Sequence, residues 1–225
     1  ISGPGQIAYT KPNSDPLNPA SWVEGVKVST ATGLMSLAAA RRHVWAGAAD
    51  GLYDLDELGN TPNLIGYEIP RHAYTGISTL YHDGYVYMGV GMGLHRVYVG
   101  ESGILNELVG QCAPMAFTAA ENVYQGFTSA LATDQGWLVN ATYSQITGQA
   151  SIWYGVDRQK AGIDSPNPLI WHGPEIQGNQ DLFVWKMRAT TLGAAGGMRL
   201  WIAATPGASA GGPWLGYVSV PVNGS

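Results

Sequence analysis

The sequence predicts an all-β fold, a β-propeller of four-stranded antiparallel blades, four or five in number, with partial blades at the ends. Three observations predict it. Segments starting at Thr32, Thr75 and Gln125 share one grammar, and the glycine after each leading residue (Gly33, Gly76, Gly126) recurs at steps of 43 and 50 residues. A repeat of that length built of short strands is the signature of propeller blades, which bury their faces only by stacking. Alternating β-branched and aromatic residues run between Gly, Asn and Asp turns, and no useful window has the helical period. The composition agrees, with 31 Gly, 8 Trp and 12 Tyr against 3 Phe.

In chain order, residues 5–30 read as the last two strands of a blade, joined by the Pro-rich loop "KPNSDPLNPAS". Residues 31–74 form a blade: "GLMSLAAA", then the apolar "HVWAGA", then "GLYDLD", then "NLIGYEIP". "MSLAAARRH" is the best helical candidate, but its repeat counterpart "ISTLYHDGY" is strand-like, so it is read as strand. Residues 75–122 repeat the order with "GISTLYH", "YVYMGV", "GLHRVYV" and "LNELVG". Residues 123–178 supply a strand from Phe127, then "WLVNAT", "ASIWYGV" and "PLIWHGP". Residues 180–221 supply about three strands, "LFVWKMRA", "RLWIAA" and "WLGYVSV". All belong to a single propeller domain. The loop-like start "ISGPG", without an initiator Met, is expected of a processed product or of the ordered part of something longer.

The Gly-rich run "YVYMGVGMGLHRVYVG" could be taken for a phosphate loop. Such a loop must lead into a helix whose N-terminus holds the anion. This run leads into another strand, and the first repeat has "VWAGAADGLYDLD" in its place. It is therefore a hairpin bend, with Gly51 and Gly93 as equivalent turn glycines of positive φ.

With these residues in view, the run "DPLNPASW", the "DGLY-x-LDE-x-GN" of the first blade, "GYVYMGVGMGLHRV", "NPLIWHGPE" and "MRLWIAA" together resemble propeller-type minor tail or virion structural proteins of tailed bacteriophages. The similarity spans about residues 5–221 and rests on pattern, with no catalytic signature. It implies a virion-associated protein of the tail or a fibre. It also implies other virion proteins as partners within a larger assembly, and a host-surface glycan or receptor as a further one. The third and fourth units depart from the "DGLY" form.

Composition excludes some partners. Charged residues are 12 %, the net charge is −5, and no basic cluster exceeds Arg41-Arg42, which is no footprint for nucleic acid. No apolar run is long enough for a membrane span, and no signal peptide is visible. The single Cys112 forms no internal disulfide and reads as a small buried apolar residue.

Four patterns in the sequence could carry chemistry. "GASAG" holds Ser209 in a nucleophile-elbow string, but between two strands, where the elbow needs a strand and then a helix. A glycosidase needs two carboxylates across the scissile bond. Asp50, Asp83 and Asp134 sit at turn positions. Asp54, Asp56 and Glu57 read as a solvated hairpin end, and Glu68, Glu121 and Glu175 lack a recognisable partner. His43, His72, His82, His95 and His172 lack metal-ligand spacing, so no metal and no cofactor are expected. Among the tryptophans, Trp45, Trp137 and Trp201 on second strands read as packing. Trp22, Trp171 and Trp214, beside Pro/Gly loops, are the candidate binding residues. The sequons at Asn140 and Asn223 read as chance, the first inside a strand. The expected role is a structural, non-enzymatic propeller of a virion, engaged in subunit contact or host attachment. A lectin-like carbohydrate-binding propeller and a glycosidase-like five-bladed propeller remain as alternatives.

Overall fold

A computed structural model describes residues 5–28, 33–40, 43–55, 62–65, 69, 71–90, 93–100, 103–109, 127–134, 136–144, 148–162, 168–180, 182–192, 197–206 and 213–220, and seventeen strands lie among these described residues. The protein is all-β, and its sheets are the antiparallel blades of a β-propeller, four in number. A two-stranded ribbon, β1 (Gln6–Thr10) with β2 (Trp22–Lys27), precedes them. The first blade runs β3 (Leu34–Ala40), β4 (His43–Ala48), β5 (Gly51–Leu55), β6 (Asn63–Ile65). The second runs β7 (Thr79–His82), β8 (Tyr85–Val90), β9 (Gly93–Gly100), β10 (Gly103–Leu108). The third runs β11 (Phe127–Asp134), β12 (Trp137–Ser144), β13 (Gln149–Asp157), β14 (Leu169–Gln180). The last has three strands, β15 (Leu182–Leu192), β16 (Gly197–Pro206) and β17 (Trp214–Val220). "MSLAAA" is strand, as the repeat argument requires. A one-turn helix, α1 (Arg158–Ala161), follows β13, capped by the Asp157 carboxylate on Gln159 N–H and ended by Gly162 at φ 66°.

Contacts gather the chain into two units, Ile1–Gly91 with Arg96–Asn106, and Met92–His95 with Glu107–Ser225. Period-two alternation explains the core of each. On β4, Trp45 faces one way, into a cluster with Leu52, Ile65, Val86, Met88 and Val97. Ala46 and Ala48 face the other way, with Val28, Tyr53 and Leu55. Both faces of this blade are thus buried, which is why its second strand is nearly all apolar. In the second unit, Val139 and Ala141 of β12 pack with Val184, Leu200 and Ile202 of the last blade.

Turn chemistry sets the hairpins. β7 and β8 are joined by Asp83 (φ 49°) and Gly84 (φ 87°), the two left-handed residues of a type I′ turn. Gly51 pairs with Ala48 and has φ 146°, a value that favours glycine. Gly93 is the buried first residue of β9 and is not among the described residues with positive φ. A tighter constraint falls at Gly76. It has φ 77°, and a Cβ there would lie 2.6 Å from the Gly47 carbonyl carbon. Its carbonyl oxygen accepts from Ser36 Oγ at 2.6 Å, and Ser36 Oγ also lies 2.9 Å from Thr79 Oγ1. Two glycines therefore let backbone meet backbone between the first blade and the segment leading into β7.

Candidate functional site

The three candidate tryptophans occupy three different settings. Trp22 opens β2 after the Pro-rich loop. That loop is built of short-range bonds: Asp15 Oδ1 accepts from Leu17 N–H at 2.9 Å, and Asn18 Oδ1 accepts from Ala20 N–H at 3.0 Å. Lys11 Nζ donates to Ala20 O at 3.1 Å across it. Trp22 Nε1 donates to Pro16 O at 2.9 Å and the residue stays 41 % exposed. An ordered loop so presents a ring edge-tied and half open.

Trp171 is a packing residue. Its ring covers Gly155, its cross-strand partner, where a Cβ would lie 2.7 Å from the indole. Its Nε1 donates to Val109 O at 2.8 Å. Trp214 lies across Gly216 on β17 and is 48 % exposed. No hydrogen bond or ring contact joins Trp171 to Trp214 among the described residues.

The acids make local pairs. Asp50 Oδ2 accepts from Tyr53 OH at 2.7 Å, and Asp83 meets His82 at 3.2 Å. Asp54 is not a solvated hairpin end: its carboxylate is 16 % exposed and lies 2.6 Å from His43 Nδ1 across β4 and β5. Asp134 ends β11 but is buried, 4 % exposed, and its Oδ1 has no hydrogen-bond partner among the described residues. Burial raises its pKa above the ordinary 3.8. Asp56, Glu57, Glu68, Glu121, Cys112, Ser209, Asn223 and the Arg41-Arg42 pair lie outside the described residues, as does the Glu175 side chain. Among the described residues no group of three or more His, Cys, Asp or Glu could hold a metal ion. No helix is long and apolar enough to cross a membrane, among the described residues. Asn140 is fully buried in β12, so its sequon is closed to a glycan.

Two features of the surface were not read from the sequence. One is a shallow groove of about 420 Å³ beside Ile7 of β1 and Leu34–Leu37 of β3, flanked by Met35 at 43 % and Leu37 at 54 % exposure. The alternation of β3 contained the signal, since Met35 and Leu37 share one face. The other is an aromatic run of Phe127, Tyr143, Phe183 and Trp185, with Phe183 and Trp185 centroids 4.4 Å apart. Trp185 is more than half exposed, and its Nε1 donates to Thr205 Oγ1 at 2.7 Å. Trp45 packs as expected, buried between sheets, whereas Trp137 stands edge-on to the exposed His172. Trp201 faces away from the core that its strand neighbours Leu200 and Ile202 enter.

A comparison with protein-family models gives no match, and a comparison with curated proteins gives none either. The geometry alone defines the class: a β-propeller whose open features are strand faces and one ordered loop.

Proposed function

We propose that the protein is a structural propeller of a phage-like virion, a tail or fibre component whose strand faces meet neighbouring subunits or a host surface. One observation carries the reading: large aliphatic side chains, Met35 and Leu37, stand exposed on a strand beside an open groove. Apolar groups held rigidly on a sheet suit lasting contact with another protein, where the buried patch centre is enriched in such residues. The resemblance of the blade sequences to phage tail propellers supports the same role. The test is the particle that carries the chain, weighed by mass photometry with intact-mass spectrometry. Recovery inside a large assembly with other virion proteins is the expected result. Recovery only as a free chain of 23.8 kDa overturns it.

A second reading, a carbohydrate-binding propeller, is favoured by one observation, the half-open indole of Trp22 on its ordered loop. A glycan array with the wild type and Trp22→Ala decides it. A ligand lost in the variant supports the reading, and no ligand for either protein overturns it.

A further inference from the structure

The last blade differs in charge from the rest of the chain. Residues 182–225 hold Lys186, Arg188 and Arg199 and no Asp or Glu, in a chain of net charge −5. The pairing register sorts these residues by face. Met187, Leu200, Ile202 and Ala204 enter the core shared with the third blade. Their strand neighbours face the other way. Arg188, Trp201 and Tyr217 form one cross-strand row on that outer face, and Arg199 lies in the row beside it. The face is open, with Tyr217 46 % and Leu215 68 % exposed.

Its aromatic rings are already in use. Trp201 and Tyr217 have centroids 5.1 Å apart, and Trp201 Nε1 donates to Thr190 Oγ1 at 3.0 Å. The Arg199 guanidinium carbon lies 4.2 Å from the Tyr217 ring centroid. Arg199 springs from β16, so this contact carries its charge across onto β17, towards the sheet's edge. β17 is that edge: among the described residues it pairs with β16 alone, where each other blade adds a fourth strand. Its sequence "WLGYVSV" contains no charge and no Pro, the usual guards of an open edge.

We propose that β17 binds an acidic, extended segment of a partner protein, which adds as a fourth strand and sets carboxylates against Arg199. A strand added about 4.8 Å from β17 places alternate side chains on the outer face, beside Tyr217. A carboxylate there accepts a charge-assisted bond from the guanidinium, and the backbone ladder supplies the remaining affinity. Charge complementarity selects an acidic segment. An anionic sugar fits less well, because stacking needs a free ring face, and the Tyr217 ring already carries the Arg199 guanidinium on one face and meets Trp201 at a tilt of 55°.

Fluorescence anisotropy on the full chain tests this with labelled peptides of alternating Val and Glu, long enough to pair all of β17. The expected result is binding that falls about tenfold or more in Arg199→Gln and survives in Arg199→Lys. The same peptide with alternate amides N-methylated should bind at least about tenfold more weakly, since it keeps its charges but not the ladder. An unchanged melting temperature in both variants shows that the sheet is intact. No binding, equal binding by the methylated peptide, equal affinity in Arg199→Gln, or equal affinity for polygalacturonate each overturns the proposal.

Discussion

Gly76 shows how much one missing Cβ can matter. Its backbone is left-handed and its Cα side faces the Gly47 and Ala48 backbone, which cannot move aside as a side chain can. Gly76→Ala should destabilise by about 3 kcal/mol or more in denaturant melts, because strain and overlap add. Gly33 is the control: its φ is 89° but among the described residues nothing lies within 4 Å of a Cβ placed there, so Gly33→Ala should cost about 1 kcal/mol. Comparable losses in the two would show that the backbone approach is immaterial. Asp134 gives a prediction in pH. Its folded pKa is raised above 3.8 by burial, so the folded state holds the proton more tightly than the unfolded one. Its contribution to stability is therefore most favourable below pH 3.8 and declines as pH rises through the folded value. Asp134→Asn should remove that decline and be more stable than wild type at pH 7, read from urea midpoints across pH. The sequence placed Asp134 in a turn, and it does end β11. Burial was illegible there because no local spacing records what packs over the end of a strand. The packing of Trp171 was illegible for a similar reason: its partners are Gly155 and a carbonyl 62 residues away.

At the scale of elements, second and third strands were the most legible. "HVWAGA" and "YVYMGV" are β4 and β8 to the residue, since strands buried on both faces read as unbroken apolar runs. First strands were less so: "GISTLYH" shortens to Thr79–His82, because Gly76 meets the backbone of the first blade and its carbonyl accepts from Ser36 Oγ. The turn in "HDGY" carried its I′ signal openly in Asp-Gly. Asp83→Gly should change stability by under about 1 kcal/mol, since glycine accepts the same φ, whereas Gly84→Val should cost about 1–2 kcal/mol. Unfolding midpoints of the two variants check this, and a larger loss from Asp83→Gly would mean the His82 contact matters more than the turn. Trp171→Ala should cost about 3–5 kcal/mol, through the uncovered Gly155 surface and the orphaned Val109 carbonyl. A neutral effect in the same melts would return Trp171 to the list of binding residues.

Across the molecule, the repeat was legible because every blade reuses one alternation, and the ribbon before it was legible from its two flanking strands. What each face meets was not legible, since alternation gives sidedness without naming the neighbour. The second unit encloses its own core, with every member of the cluster around Val139, Ile152, Leu200 and Ile202 lying between residues 130 and 204. A fragment of residues 127–220 should therefore show strand circular dichroism and a cooperative melt, and a non-cooperative one would show that this core needs the first unit. The acid-free last blade has an optical consequence as well. Lys186, Arg188 and Arg199 are the only charged residues on β15 to β17, so Trp185 and Trp201 should emit beside a positive face, although the chain as a whole is an anion at neutral pH. Iodide should gather near these indoles and quench them, while caesium is held off. The difference between two simple salts thereby reports the sign of the potential at this face before any partner has been found.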